Sequence, residues 1–168
     1  MKEYISVIKN YATFKGRARR REYWMFVLFN LIFGIIASIL DIIIGDTFKN
    51  PMTGLGTNYG YIYLLYALFV FIPGLAVLVR RLHDIGKSGW FLLMQSIITI
   101  VTIVIGVGLM YINGVFLLIL LIPFAISIWF LVLLCTDSSV GPNKYGPNPK
   151  GIGNIDEFDF MKTTDTES

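Results

Sequence analysis

The sequence predicts an all-α, polytopic membrane protein with four transmembrane helices and a short N-terminal amphipathic helix. Three observations support this fold class. The 168 residues are 55% hydrophobic and only 15% charged, whereas soluble domains carry about a quarter charged residues. Charged residues are absent from long stretches, and the longest of these runs from Ser88 to Thr136. If these stretches cross a membrane in turn, all basic residues except Lys49 fall on one side of that membrane.

Four apolar segments have the length that a bilayer requires, which is about 20 residues for a hydrocarbon core about 30 Å thick. The predicted spans cover residues 23–45, 59–79, 90–112 and 115–134. The turn dipeptide Asn113-Gly114 separates the last two spans, and the polar segment 51–58 is predicted to be a loop. Residues 1–150 are expected to form a single membrane domain, and residues 151–168 an acidic, flexible tail.

The distribution of basic residues predicts that both termini are cytoplasmic. Basic residues precede the first span, lie between the second and third, and follow the fourth, and only Lys49 falls in a loop on the other side. A three-span threading would place the basic residues of the tail outside and is disfavoured. The apolar run after the basic N-terminal residues is too long for a cleaved signal peptide. Cys135, the only cysteine, then lies at the cytoplasmic end of the fourth span, where thiols stay reduced.

Two further segments lie outside the predicted spans. Residues 1–14 place apolar side chains at helical spacing, with Lys2 and Lys9 largely elsewhere on the helical wheel. We expect the apolar face of this helix to contact either the cytoplasmic leaflet or the protein's own helices. The Pro-, Gly- and Asn-rich segment from Thr136 onward is expected to form turns. Residues 155–161 alternate acidic and aromatic side chains, a pattern that could dock on a basic face. A flexible terminus is nevertheless the favoured expectation for this segment.

The first of two Arg-rich clusters, residues 14–24, precedes the first span and has the sequence Phe-Lys-Gly-Arg-Ala-Arg-Arg-Arg-Glu-Tyr-Trp. Its arginines lie where anionic headgroups are, and each such charge contributes about 1 kcal/mol to attraction by that surface. Membrane anchoring explains most of this pattern. The Phe-x-Gly-Arg turn exceeds what anchoring requires, and it indicates that Arg17 points at a particular partner, for which the second cluster is the candidate.

The second cluster, residues 80–90, connects the second and third spans and has the sequence Arg-Arg-Leu-His-Asp-Ile-Gly-Lys-Ser-Gly-Trp. Ser88 is placed to cap the third span, and a helix N-terminus beside Lys87 is a natural site for a lipid phosphate. The competing interpretation is a compact helix connector, in which Asp84 pairs with an Arg of either cluster and His83 caps or stacks. The candidates for binding an anion, a lipid headgroup or a protein partner are Arg17, Arg19, Arg20, Arg80, Arg81, His83, Asp84, Lys87, Ser88 and Trp90.

Enzymatic chemistry is not predicted. The single histidine, His83, is adjacent to Asp84, and neighbouring side chains do not generally converge on one catalytic or metal site. Gly86-Lys87-Ser88 lacks the glycine that a P-loop has five positions earlier, because Arg81 stands there. No catalytic residue, metal, cofactor or nucleic-acid partner is therefore expected. Ionisable residues, which transporters usually carry, are almost absent from the interior of the spans, and Asp41 is placed near the far interface. A small transporter or channel subunit is therefore the alternative function. A membrane enzyme is less favoured.

Together with the tail Gly-Pro-Asn-Lys-Tyr-Gly-Pro-Asn-Pro at residues 141–149, the two clusters resemble the bacterial membrane-protein family called domain of unknown function 805. The resemblance covers about residues 8–150, with the same order and hydrophobic spacing, and the second cluster is its most specific part. It implies a small integral protein of the bacterial inner membrane and no particular activity. We therefore expect a non-enzymatic membrane protein whose basic cytoplasmic face binds anionic membrane lipids or a protein partner.

Overall fold

The computed structural model describes residues 1–45, 47–49, 56–108 and 115–154. Within these ranges the chain forms helices and one two-stranded sheet. The elements in chain order are α1 (Lys2–Lys9), α2 (Arg20–Ile44), β1 (Thr47–Lys49), β2 (Gly56–Gly60), α3 (Tyr61–Asp84), α4 (Trp90–Gly108) and α5 (Val115–Cys135). The predicted turn at Asn113-Gly114 and the segment 155–161 lie outside the described residues.

The helices agree with the predicted helical architecture, which is confirmed in its coarse form. Within the described residues, α2 and α3 are long and apolar enough to cross a membrane. The corresponding apolar segments of α4 and α5 are shorter there, at Trp90–Gly106 and Leu121–Cys135. The number of four spans therefore stays a prediction.

Two compact units share the chain, and their segments alternate along it. The first unit consists of Met1–Phe14 and Arg21–Leu78, and the second of Lys15–Arg20 and Val79–Ser168. The first unit thus contains α1, the sheet and most of α2 and α3. The second contains the end of α3, the helices α4 and α5, and the loop that follows α5.

The connection between α2 and α3 differs from the prediction. β1 and β2 pair antiparallel, with Thr47 opposite Gly60 and Lys49 opposite Gly56. Residues 56–58, predicted as loop, therefore belong to a strand, and α3 begins at Tyr61 rather than at residue 59. The described fold is mostly helical rather than all-α.

The carboxylate of Asp41 explains where α3 begins. It is fully buried and accepts hydrogen bonds from the backbone N–H groups of Gly60, Ile62 and Tyr63 at 2.9–3.0 Å. The first N–H groups of a helix have no partner inside it, so a carboxylate at this point satisfies them as a cap does. Asp41 therefore caps the first turn of α3 directly after β2.

Helix α1 packs against α2 within the first unit. The ring of Tyr4 stacks on Phe26 and meets Phe33 edge-on, with both centroid separations at 5.4 Å. Val7, on the same side of α1, is fully buried. Of the two neighbours expected for the apolar face, the structure shows the protein's own helices.

Tyr11, just beyond α1, fastens this segment to α3. Its hydroxyl donates a hydrogen bond to the carbonyl oxygen of Phe69 at 2.7 Å. Helix α3 cannot satisfy this carbonyl itself, because the residue four positions on is Pro73, which has no N–H. An unpaired carbonyl in apolar surroundings costs about 1–3 kcal/mol. Tyr11 therefore supplies the hydrogen bond that Pro73 removes.

Candidate functional site

The two Arg-rich clusters meet in the second unit, beside the last turn of α3. Gly16 has a φ of 87°, a left-handed conformation that glycine adopts without steric cost, and it turns the chain just before Arg17. The N–H of Ala18 then donates to the carbonyl of Arg80 at 3.0 Å. This hydrogen bond holds Arg17 beside the end of α3.

Asp84 is the centre of the site. Its fully buried carboxylate accepts hydrogen bonds from Arg17 Nε at 3.0 Å, from Arg81 Nη1, and from the Ser138 hydroxyl at 2.6 Å. The side chains of Arg17 and Arg81 are only 1% and 0% exposed. The prediction that Arg17 points at the second cluster is confirmed. The pairing of Asp84 with arginine, which the competing helix-connector interpretation predicts, is also confirmed, with one partner from each cluster.

The remaining donors of these guanidinium groups hold the segment at and after the end of α5. Arg17 Nη1 donates to the carbonyl of Gly141 at 2.8 Å, and Nη2 donates to that of Ser139 at 2.7 Å. Arg81 Nε donates to the carbonyl of Leu134 at 3.2 Å. A guanidinium group presents five N–H donors in a rigid fork. Each arginine therefore joins segments of the second unit that are distant in sequence.

We call Arg17, Arg81 and Asp84 the buried Arg–Asp–Arg cluster. Two positive charges and one negative charge are held there away from water, and Arg80 beside them is only 6% exposed. The surplus positive charge lies at the C-terminal ends of α3 and α5, where helix dipoles present partial negative charge. Carbonyl acceptors thus supply the compensation that a second carboxylate would otherwise provide.

His83 follows Arg81 in the same turn but does not face the cluster. Its ring stacks on Tyr145 with centroids 3.7 Å apart and planes 4° from parallel. Its Nδ1 lies 3.2 Å from the carbonyl oxygen of Gly16. His83 and Asp84 therefore have separate partners and do not converge as an acid–base pair. Within the described ranges, no group of three or more His, Cys, Asp or Glu side chains is placed to hold a metal ion.

The start of α4 presents the exposed part of the second cluster. Ser88 Oγ accepts a hydrogen bond from the N–H of Trp90 at 3.4 Å, a long version of the predicted cap. Lys87 is exposed, and Trp90 is 72% exposed. These side chains are accessible to a ligand in a way that the buried arginines are not.

Arg19 and Arg20 lie at the surface of the same unit. Arg19 donates to the carbonyl of Pro149, and Arg20 Nη1 donates to that of Cys135 at 3.2 Å. Both side chains remain exposed, so their charge faces outward. The ten predicted site residues thus comprise four buried residues, four exposed residues, and His83 and Ser88, which are half-buried.

The polar residues of the loop after α5, which complete the site, were not predicted from the sequence. Ser138 donates to Asp84, Ser139 accepts from Arg17, and Asn143 Nδ2 donates to the carbonyl of His83 at 3.0 Å. The signal that could have identified this loop is its Gly- and Pro-rich spacing, which formed part of the family resemblance.

The order of this loop continues past residue 150. The N–H of Gly141 donates to the carbonyl of Ile152 at 3.0 Å, and the N–H of Asn148 donates to Asn154 Oδ1 at 2.8 Å. Residues 151–154 are therefore joined to the loop, although the sequence predicts that a flexible tail begins there. At the edge of the loop, a hydrogen bond from Lys150 holds the pKa of Asp137 below its ordinary value.

Comparisons with known proteins agree with the resemblance in the Arg-rich clusters. Residues 11–116 match the family described as "Protein of unknown function (DUF805)". Inner membrane protein YhaI of Escherichia coli (strain K12) is 37% identical over 151 residues, which cover 89% of this chain and 97% of the relative. Inner membrane protein YhaH of the same strain is 34% identical over 147 residues, which cover 88% and 95%. No solved structure matches the chain.

These relatives, together with the two helices that are long enough to cross a membrane, support the predicted location in a bacterial inner membrane. The family that the two Arg-rich clusters and the Gly- and Pro-rich tail indicated is confirmed by a match that covers more than half of the chain. The chain therefore belongs to the DUF805 family of proteins.

Proposed function

We propose that this protein spans the inner membrane four times, with both termini in the cytoplasm, and that its second unit binds anionic lipid headgroups without catalysing a reaction. Helix α1 would lie at the same interface as an amphipathic helix. The binding surface in this proposal, called the basic surface, consists of the exposed side chains Lys15, Arg19, Arg20, Lys87, Lys144 and Lys150.

The observation that carries the proposal is the charge balance of this surface. Of the two acidic residues in the described part of the second unit, Asp84 is buried in the Arg–Asp–Arg cluster. The other, Asp137, is exposed and paired with Lys150. Among the residues that the structure describes, most of these exposed cations therefore have no carboxylate partner. Each Lys or Arg near an anionic membrane contributes about 1 kcal/mol of attraction.

The buried cluster supports this surface from below. Arg17 and Arg81 donate to the protein's own carboxylate and carbonyl groups, so in this proposal they position the surface and do not contact lipid. Binding costs less free energy when the groups that bind are already ordered. Among the predicted candidates at the start of α4, the exposed residues Lys87 and Trp90 and the half-buried Ser88 would be the ones to meet the ligand.

The proposal is tested by lipid analysis of the purified protein. The triple variant Lys15→Gln/Lys87→Gln/Lys144→Gln removes three exposed charges from the second unit. At about 1 kcal/mol each, these charges correspond to a loss of about a hundredfold in affinity for an anionic surface. The expected result is a loss of phosphatidylglycerol enrichment over phosphatidylethanolamine in the co-purified lipid.

The matched control is Lys49→Gln, which changes an exposed lysine of β1 in the first unit, within the predicted outer loop. It should leave the enrichment unchanged. Equal enrichment in the wild-type protein and the triple variant would reject lipid recognition by this surface. An acidic protein would then be the partner that its charge fits.

The transporter alternative rests on one observation in the first unit. A cavity of about 390 Å³ runs along one side of α2, where Asn30, Gly34 and Ser38 line it together with Tyr59 and Tyr63. Reconstituted vesicles that pass small solutes would favour this function. The change Gly34→Leu, which places a side chain in the cavity, should then abolish the flux.

A further inference from the structure

We infer that the outer face of α1 is a second lipid site, which takes the phosphate and the upper acyl chain of an anionic phospholipid. The outer face is formed by Lys2, Ile5, Ser6 and Lys9. This inference rests on the inner-membrane location in the proposed function, but it does not depend on the basic surface of the second unit.

The outer face exists because the other side of α1 is occupied. Tyr4 and Val7 are turned inward, Tyr4 against Phe26 and Val7 with no exposed surface. Residues spaced by three, four and seven positions share one face of a helix. This spacing places the four residues of the outer face on the side of α1 opposite Tyr4 and Val7. Together with Asn10, these four residues line an open depression of about 530 Å³.

The two lysines of this depression form no ion pair with the described carboxylates. Glu3, the only acidic residue of α1, is paired with Arg21 Nε at 3.0 Å. Across the described ranges, no carboxylate forms an ion pair within 4.0 Å of the ammonium group of Lys2 or Lys9. The two lysines stand about 10 Å apart along the helix axis, as a separation of seven residues gives.

Apolar surface lies between these two charges. Ile5 is 45% exposed, and Met1 at the end of the helix is 60% exposed. An apolar side chain flanked by lysines matches the boundary between phosphates and acyl chains, because lysine stems lie along apolar surface while their ammonium groups reach the headgroups. A protein partner of purely acidic character would leave the apolar part of this face unmatched, so the face fits a lipid better.

The position of α1 is set before any lipid binds. The hydrogen bond of 2.7 Å from Tyr11 to the carbonyl of Phe69 and the stacking of Tyr4 on Phe26 anchor both ends of the segment. Amphipathic helices that fold only on contact with a membrane must offset the entropy lost on ordering. The outer face of α1 avoids this cost because the helix is already packed on the protein.

The inference is tested with a cysteine placed on the outer face. The variant Ser6→Cys, in a Cys135→Ser background, is reconstituted in nanodiscs of phosphatidylcholine alone or with phosphatidylglycerol added. The rate of reaction with a water-soluble maleimide is then measured. Each lysine is expected to increase the affinity of the outer face for an anionic surface about fivefold. With two lysines, we expect labelling about 25-fold slower when phosphatidylglycerol is present, and no such difference after Lys2→Gln/Lys9→Gln.

A matched variant, Lys87→Gln/Lys144→Gln, removes the same charge from the basic surface and should leave the protection of Ser6→Cys intact. Equal labelling rates in both kinds of nanodisc would overturn the inference. Protection that follows the number of protein copies per disc, and not the lipid, would assign the face to a second copy and would also overturn it.

The inference and the proposed function can fail separately. The labelling rate of Ser6→Cys could be independent of lipid composition while lipid enrichment still depends on the basic surface. This result would reject only the site on α1. Protection that depends on Lys2 and Lys9, with enrichment unaffected by the triple variant, would reject only the basic surface as a lipid site.

Discussion

Replacing Asp84 with asparagine tests whether the buried Arg–Asp–Arg cluster holds the second unit together. The change keeps the size of the side chain but removes the negative charge that Arg17 and Arg81 share. Both guanidinium groups stay buried, at 1% and 0% exposure, and neither has another carboxylate partner among the described ion pairs. The variant therefore measures the cost of two buried cations without their counterion.

Removing one partner of a buried ion pair costs about 3–5 kcal/mol. The amide oxygen of the substituted side chain still accepts a hydrogen bond, and backbone carbonyls still accept from both arginines. We therefore expect the lower end, about 3 kcal/mol, in the free energy of unfolding. Each kcal/mol shifts Tm by about 2–4 °C in a protein of this size, so Tm should fall by about 6–12 °C. The assay is thermal unfolding in detergent, followed by intrinsic tryptophan fluorescence.

Asp137→Asn is the matched control, because it makes the same chemical change in an exposed ion pair of the same unit. The side chains of Asp137 and Lys150 are 62% and 33% exposed. Exposed pairs contribute about 0–1 kcal/mol, so Tm should move by less than about 4 °C. Equal shifts for Asp84→Asn and Asp137→Asn would refute the reasoning, because burial would then have no effect on the value of the pair.

Three further substitutions test individual contacts. Tyr11→Phe should lower the free energy of unfolding by about 1–3 kcal/mol. The loss should be smaller in a Pro73→Ala background, because the restored N–H pairs with the carbonyl that Tyr11 no longer contacts. A double-mutant cycle of chemical unfolding measures both effects. Asp41→Ala should remove the cap of α3 at a cost of about 0.5–2 kcal/mol, with faster hydrogen exchange at the amides that it now holds. Gly86→Ala meets no atom within 4 Å but must adopt a φ of 75°, so it should cost about 1–2 kcal/mol in thermal unfolding from backbone strain alone.

The helices were predictable because apolar length decides them. α2 (Arg20–Ile44) and α5 (Val115–Cys135) lie within a few residues of the predicted spans at 23–45 and 115–134. The start of α3 was not predictable in this way. It depends on Asp41, whose carboxylate reaches N–H groups about twenty residues later in the chain, and on strand pairing that leaves no periodic signal in so short a segment.

The partner of Arg17 was predicted from one local feature. The Phe-x-Gly-Arg turn, which exceeds what anchoring requires, indicated that Arg17 had a partner in the second cluster, and that partner is Asp84. The burial of Arg17 as a hydrogen-bond donor could not be inferred, because it depends on the carbonyl groups of Ser139 and Gly141. Backbone carbonyls are present at every residue and give no pattern in a sequence.

Labelling of Cys135 tests the central claim, which is that the basic surface of the second unit faces the cytoplasm. The chain has one cysteine, it is exposed, and it lies at the end of α5 beside Arg20, so the wild-type protein is its own probe. A membrane-impermeant maleimide is applied to intact spheroplasts and to inside-out vesicles. If the basic surface is cytoplasmic, Cys135 should be labelled in the inside-out vesicles, and in spheroplasts only after they are permeabilised. Labelling of Cys135 in intact spheroplasts would contradict it.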